Sequence, residues 1–320
     1  MFSITKKDRH NVINFLGIKV KLRNKNIKIE PQRDFEKDFI KKNFKDFHNR
    51  NLAEDVKSLL KGLPDDDKIK INKTIAAILN ILEDRPFNRH DFANQLPVFP
   101  IAKLNDDCYL GYGKYYLPIS YFEDSIFEYK HSLDSIESIN SIKHKSIIDA
   151  GAYVGDSALI LRECFDGTIY SFEPMKKEYA LLLKTIEMND LENVVPVKKG
   201  LGDTNSEIEV DSFPATIECH KMKQKEKIEI TTIDDYVEKN NIEVGLIKSD
   251  IEGAELSLLR GAINTIKQQK PVLVISIYHN TNDFFEIKKL IESLNLGYKF
   301  KIEKNPNRIL IDTILIAEVK

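Results

Sequence analysis

Three short stretches and one histidine carry the residue types that could do chemistry. The first runs Asp149-Ala-Gly-Ala-Tyr-Val-Gly155-Asp-Ser157, where the apolar Ile147-Ile148 meets a glycine turn and a helical pattern starts at about Asp156. Gly151 permits a tight turn and close backbone approach to a ligand, and Gly155 permits close packing at the helix start. A glycine turn alone is weak evidence, because many nucleotide folds share it. Here the form is Gly-x-x-x-Gly behind an acid, not the three-glycine dinucleotide form, and the phosphate-cradling Gly-Lys-Ser/Thr is missing. An acid at Asp149 repels pyrophosphate, which disfavours NAD and ATP, and suits the positively charged methionine end of S-adenosylmethionine. The residues expected to line such a ligand are Asp149, Gly151, Ala152, Tyr153, Gly155, Asp156 and Ser157.

The second stretch is Phe172-Glu173-Pro174, ending the next strand-like run. Glu173 lies 22 residues after Gly151 (173 − 151), the spacing at which an acid ending the second strand binds ribose hydroxyls. Alone, it reads equally well as an exposed carboxylate near a helix N-terminus. Together with the glycine turn, ribose binding by Glu173 and Pro174 is the better reading. The third stretch, Ile247-Lys-Ser-Asp250-Ile-Glu252-Gly-Ala-Glu255, follows a strand and opens a helix. Asp250 and Glu252 sit at a strand's carboxyl end, where open α/β sheets place ligands. They also read as helix-capping acids, and both roles can hold at once. Hard cations prefer oxygen ligands, so Asp250 and Glu252 could hold a divalent metal, but nothing in the sequence demands one and none is expected.

The elements that position these residues follow from periodicity. From Ser146 onward strand-like runs alternate with helix-like ones: 147–148, 168–172, 194–197, 244–248 and 271–277 against 156 onward, 176–189, 254–267 and 283–294. A less regular stretch, 203–230, intervenes. Residues 298–302 and 309–317 close as an antiparallel pair. Strands separated by helices imply a mostly parallel sheet covered on both faces, here with an antiparallel C-terminal hairpin. The expected fold class is therefore α/β.

Upstream the pattern changes. Ile18, Val20 and Leu22 alternate with basic residues, and after Asn24-Lys-Asn26 come Ile27 and Ile29, a strand pair around a turn. Phe35, Phe39, Phe44 and Phe47, then Leu59, Leu63, Ile75, Ile78 and Leu82, recur at helical spacing, with breaks at Pro64 and Pro86. Residues 96–117 read as a connector with short strands, and 124–143 as one helix. The domain boundaries expected are 1–30 for a basic strand pair, 31–123 for a mainly helical N-terminal domain and connector, and 124–320 for the catalytic domain.

In order, DAGAYVGDS, SFEP, TTIDDY, IKSDIEGAE and ISIYH resemble the FkbM family of methyltransferases over roughly residues 145–318. The Asp-x-Glu-Gly-x-Glu stretch with Ile-Tyr-His after the next strand is the most distinctive part. The resemblance implies a Rossmann-like S-adenosylmethionine-dependent fold and O-methyl transfer, often in natural-product or surface-glycan pathways. By position it implies that Asp149, Gly151, Gly155 and Glu173 hold the cofactor and that Gly200, Leu201 and Gly202 lie near the adenine. It implies too that Asp250, Glu252 and His279 face the methyl group or the acceptor. A hydroxyl acceptor needs a base. His279 is the first candidate by intrinsic pKa, with Asp250 its rival; the alternative for His279 is that it orders its loop.

Composition bounds the rest. The chain has 320 residues, a net charge of −2 and 31% charged residues, and its apolar stretches, such as Val272–Ile277 with one serine, are only strand-length. A soluble, cytoplasmic protein without signal peptide or transmembrane segment is expected. Cys108, Cys164 and Cys219 are too scattered for a disulfide framework or zinc site. Residues 1–50 hold 14 Lys/Arg against 6 Asp/Glu, which favours an anionic partner or simply a solvated basic face. The expected acceptor is a small molecule or glycan, with no nucleic acid, and a homodimer would form through the N-terminal domain. The rivals are methyl transfer to a non-sugar small molecule or nucleic acid, and a cofactor-binding scaffold without turnover.

Overall fold

The computed structural model describes residues 2–7, 10–15, 18–23, 35–85, 101–212 and 224–319. The chain forms two compact units, Met1–Asp38 and Phe39–Lys320. The first holds an antiparallel meander of β1 (Phe2–Lys7), β2 (His10–Phe15) and β3 (Ile18–Arg23), in the register Phe2↔Phe15 and His10↔Arg23. The alternating run from Ile18 is thus a strand, paired with the segment before it. Its expected partner at 27–29 lies outside the described residues.

Helix α1 spans Phe35–Asn43. It is followed by a 3-10 turn at Phe47–Asn49, α2 (Leu52–Leu60) and α3 (Asp65–Leu82). The apolar positions spaced three and four apart bury one face: Ile40, Phe44, Phe47, Leu59, Ile71, Ile78 and Ile81. They share one core cluster with Phe284, Phe285, Ile291, Phe300 and Ile302 from the far end of the sequence. The Phe47 and Phe285 rings are 5.4 Å apart. Each such side chain contributes roughly 1.5–3 kcal/mol by leaving water. Asp67 accepts a 2.9 Å hydrogen bond from the Ile302 amide, and Arg50 bridges Asp55 and Glu286. Sequence periodicity separates 31–123 from 124–320, whereas these contacts join residues from both sides of that boundary.

A three-stranded antiparallel sheet follows, made of β4 (Ala102–Asn105), β5 (Cys108–Gly111) and β6 (Tyr115–Leu117). The single helix expected over 124–143 is instead three short pieces: α4 (Asp124–Phe127), a 3-10 stretch at Lys130–Ser135 and α5 (Ile139–Ile142). The cause is the backbone at Lys130, His131 and Ser132, which takes positive φ of 46°, 49° and 62°. Such angles cannot continue a right-handed helix.

The central sheet has seven strands. These are β7 (Ser146–Ala150), β8 (Ile169–Phe172), β9 (Val194–Val197), β13 (Val244–Ser249), β14 (Val272–Ser276), β15 (Lys299–Lys304) and β16 (Thr313–Glu318). Their order is β15-β16-β14-β13-β7-β8-β9. All neighbours are parallel except those involving β16. The covering helices are α6 (Asp156–Cys164), α7 (Lys176–Met188), α8 (Ile233–Asn240), α9 (Glu255–Arg260), α10 (Ile263–Gln269) and α11 (Thr281–Ser293). Residues 203–230, read as irregular, contain a hairpin of β11 (Ser206–Ser212) and β12 (Gln224–Thr231), with β10 (Gly200–Leu201) parallel to β12.

Strand order reverses between β7 and β13, because β8 lies to one side of β7 and the later strands to the other. Crossovers diverge there and leave a crevice at the carboxyl ends of the strands. Alternation sends Ile147 and Leu246 into the core on the α6 side, and Ile148, Ala150 and Ile247 into the opposite core. Asp149 and Lys248 therefore share the α6 side, at the edge of the crevice. Among the described residues no helix is long and apolar enough to cross a membrane.

Candidate active site

At the switch point the glycine turn leaves β7. Gly151 has φ +76°, and a Cβ there would lie 1.9 Å from the Asp250 carbonyl oxygen. Only glycine lets this turn pass so close to the end of β13. The Gly151 and Ala152 amides both donate to the Phe172 carbonyl, at 3.1 and 3.0 Å. Tyr153 has φ +47° and a side chain 48% exposed. Gly155, at φ +89°, caps α6, and a Cβ there would press on Leu182 and Thr185 of α7. The packing role read for Gly155 from the sequence is the one it fills.

Glu173 leaves the end of β8 as expected. Its carboxylate accepts from the Tyr153 amide at 3.0 Å and the Met175 amide at 2.9 Å. Burial raises its pKa to about 7, against the pull of those two amides. Each carboxylate oxygen keeps a further lone pair. Beside it, a Cβ on Gly200 would lie 3.7 Å from Pro174 and 2.6 Å from Ile230, and one on Gly202 2.8 Å from Ile230. Gly200 therefore stands beside the Glu173-Pro174 turn, and Gly202 packs on Ile230 and Ser257.

Asp149 is placed differently from the ligand-facing role read for it. It is completely buried, accepts from the Ser157 and Ser171 hydroxyls at 2.9 and 3.0 Å, and pairs with Lys248 at 3.0 Å. Lys248 also donates to the Gly151 carbonyl at 3.0 Å. Burial works against its charge, yet Asp149 and Asp250 hold its pKa above the ordinary lysine value. This pair ties β7, β8, β13 and α6 together beneath the turn. The sequence signal for Lys248 was a lone cation inside the strand Val-Gly-Leu-Ile-Lys-Ser.

Asp250 and His279, named separately from the sequence, come together. His279 Nε2 lies 3.2 Å from Asp250, and Nδ1 lies 3.0 Å from Glu255, which is fully buried. Glu255 accepts from the Ile251 and Gly253 amides and so fixes the loop that carries Asp250. The Tyr278 hydroxyl donates to Asp250 at 3.2 Å. Burial opposes charge on His279, but the two carboxylates raise its pKa to about 11. Burial likewise opposes charge on Asp250, and His279 keeps its carboxyl well below the usual range. Glu252, at φ +57°, has a side chain 91% exposed and 3.9 Å from His279. Asp250, Glu255 and His279 could together ligate a cation. As arranged, however, the imidazole stands between the carboxylates and turns a different nitrogen to each.

Three further acids interact electrostatically with Asp250 or with one another. Burial raises Glu123 to about 8, Asp312 to about 7 and Asp156 to about 6, and neighbouring carboxylates add to each shift. Asp250 acts on both Glu123 and Asp312. These residues come from chain segments far apart, and no local motif marks Glu123 or Asp312.

The shifts fix the sign of a pH effect. Carboxyls with raised folded pKa favour the folded state while protonated, and lose that contribution as pH climbs through 6 to 8. His279 acts in the same direction: its contribution is complete below about 6.5 and is lost towards 11. Without ligand, Tm should therefore fall between pH 5 and pH 9, as calorimetric scans would show; a rising Tm would contradict the burial of these groups.

The strand order and the crevice at its switch point define a Rossmann-like fold. Residues 149–300 match the methyltransferase FkbM domain. The methyltransferase FkbM of Methylobacillus flagellatus KT shares the fold, with a TM-score of 0.56 and 20% identity. That match covers 83% of this chain and 58% of the other. Methyltransferase 1 of Beauveria bassiana is 23% identical over 185 residues, 49% of this chain and 74% of that protein. The hexuronic acid methyltransferase AglP of Haloferax volcanii is 27% identical over 153 residues, 47% of this chain and 62% of that protein. The chain thus spans less than two thirds of AglP and of the solved FkbM chain.

Proposed function

We propose that the protein is an S-adenosylmethionine-dependent O-methyltransferase acting on a sugar hydroxyl. The observation that carries the cofactor reading is Glu173: a buried carboxylate at the end of the second parallel strand, oriented by two backbone amides, with free lone pairs for a ribose diol. Gly200, beside Pro174, and Leu201 and Gly202 after it suit the adenine, and the acids Asp156 and Asp250 suit a cationic methionine end. When bound, the sulfonium supplies an activated methyl group.

The chain's own residues orient and neutralise. Asp149 and Lys248 hold the glycine turn rather than touch the ligand. Asp250, kept ionised by His279, accepts a hydrogen bond or stabilises positive charge at the reacting centre. Alignment of the acceptor oxygen with the methyl group supplies much of the acceleration. His279, held as an imidazolium by Asp250 and Glu255, has no lone pair to give at neutral pH, so its role is to anchor Asp250.

The sugar acceptor draws support from the AglP relative, whose name specifies hexuronic acid. The test is turnover: full-length protein, labelled S-adenosylmethionine, and methyl glucuronoside beside methyl glucoside, with product read by mass. Label in an ether of either sugar supports the reading; label only in a non-sugar hydroxyl or in RNA replaces the acceptor class. A His279→Ala variant should lose turnover and Tm together. Its kcat pH profile should show no inflection removed between pH 5 and 9, because His279 does not titrate there. Loss of such an inflection would restore His279 as the base.

A further inference from the structure

One buried carboxyl group behind the site has no part in the mechanism above. Asp283, in the first turn of α11, is 1% exposed. The Asn280 side chain caps that helix: its oxygen accepts from the Asp283 amide at 2.9 Å, and its nitrogen donates to Asp283 Oδ2 at 2.5 Å. Asp283 Oδ1 is buried and has no hydrogen-bond partner among the described residues. An acid in the first turn of a helix is ordinarily an ionised one, favoured by the helix dipole. An ionised carboxylate with a buried, unmatched oxygen is costly, so this position calls for another account.

Its neighbour is Glu255 of α9, which packs against α11. Gly253 lies between the two carboxyl groups. The Gly253 amide donates to Glu255 Oε2 at 3.0 Å, and a Cβ on Gly253 would lie 3.8 Å from Asp283 Oδ2. Glu255 is fully buried and almost saturated. Its Oε1 accepts from the Ile251 amide at 2.8 Å and faces His279 Nδ1 at 3.0 Å, while Oε2 takes the Gly253 amide. A carboxylate has about four acceptor sites, so Oε2 keeps one. A carboxyl oxygen lacking a partner thus stands by a carboxylate with one site left. Two carboxylates in one buried place do not both ionise cheaply. Two amides and the His279 cation hold the charge on Glu255, whereas Asp283 has only the Asn280 amide, so the proton belongs on Asp283. Burial, and then the Glu255 charge, raise the Asp283 pKa to about 8, in keeping with this placement.

We propose that Asp283 is a protonated acid that donates from Oδ1 to Glu255 and is thereby a positioning residue for Asp250. The inference rests on the methyl-transfer reading above, in which Asp250 faces the reacting centre. Asp283 fixes Glu255, Glu255 fixes His279 through Nδ1, and His279 holds Asp250 through Nε2 at 3.2 Å. The chain of groups runs from the core outward: Glu255 is completely buried, and the Asp250 side chain at the other end is 26% exposed. Asp283 itself touches neither the methyl donor nor the acceptor. What it supplies is one donor that a neutral acid or an amide can give and a carboxylate cannot.

The test is an infrared difference spectrum of the full-length protein, wild type against Asp283→Asn at neutral pH, in water and in heavy water. The expected result is the carbonyl band of a protonated carboxyl, shifted by deuterium, present in wild type and missing from the variant. A carboxylate band in its place overturns the proposal. In parallel, initial rates with S-adenosylmethionine and methyl glucuronoside compare wild type with Asp283→Ala and Asp283→Asn. Asp283→Ala should lower kcat by about 10- to 100-fold, the scale of one lost hydrogen bond to a charged group. Asp283→Asn should restore most of that loss, because its amide donates to Glu255 while its carbonyl accepts from Asn280. Equal losses in the two variants, as an ionised capping acid would give, overturn the proposal, and so does wild-type kcat in folded Asp283→Ala. Should Asp283→Ala fail to fold, the spectrum and the Asn variant decide. Should wild type methylate neither glycoside, the sugar reading fails, and the spectrum still decides on Asp283.

Discussion

Replacing Lys248 with methionine should cost about 3–5 kcal/mol of stability, the usual penalty for stranding a buried charge. Lys248 is 3% exposed and its partner Asp149 is completely buried. Without the ammonium, Asp149 keeps only the Ser157 and Ser171 hydroxyls, and the Gly151 carbonyl loses its donor. For a domain of this size the change corresponds to a Tm drop on the order of 10 °C. The double variant Asp149→Asn/Lys248→Met should recover part of the loss, because neither charge is then left alone. Equal, additive losses in the two single variants, or a drop under about 1 kcal/mol for Lys248→Met, would show that the pair does not hold the turn. The variant should also bind S-adenosylhomocysteine more weakly, since the turn is built on this strut.

The second large effect is expected at Glu173. Removing a charged acceptor of two ribose hydrogen bonds should weaken S-adenosylhomocysteine binding by about 2–3 kcal/mol, roughly 30- to 160-fold. Glu173→Ala should nonetheless stay folded, because the carboxylate's partners are two loop amides at the crevice, where water can replace it. A pH signature accompanies the loss. With a pKa near 7, Glu173 is the better acceptor when ionised, so wild-type affinity should rise from pH 6 to pH 8, and that rise should shrink in Glu173→Ala. Unchanged affinity in a folded Glu173→Ala variant would remove the ribose assignment.

The motifs readable in the sequence are local ones. Gly151, Gly155 and Glu173 sit within one strand-turn-helix-strand unit, so spacing alone places them, and they stand where the spacing puts them. The parallel sheet and its closing antiparallel pair follow from alternating apolar runs. Residues whose neighbours are distant in sequence were not legible. Asp149 reads as a ligand contact because its partner Lys248 is 99 residues away (248 − 149), across the crevice. His279 reads as a base by intrinsic pKa, and only the fold shows it wedged between Asp250 and Glu255. The broken helix at 124–143 was hidden too, since Ile126, Leu133 and Ile136 carry helical spacing while the left-handed residues between them are ordinary ones. The β11–β12 hairpin escaped because its alternation, as in Glu207-Ile208-Glu209-Val210, is largely exposed and charged.

The proposed function requires that the crevice between β7 and β13 takes S-adenosylmethionine. The most direct test is titration calorimetry of the full-length protein with S-adenosylhomocysteine, NAD and ATP in turn. Saturable one-to-one binding of S-adenosylhomocysteine alone is expected, because the ionised carboxylates of Asp156 and Asp250 stand beside the turn, where pyrophosphate would meet them. Binding of NAD or ATP in preference, or of none of the three by folded protein, would contradict it.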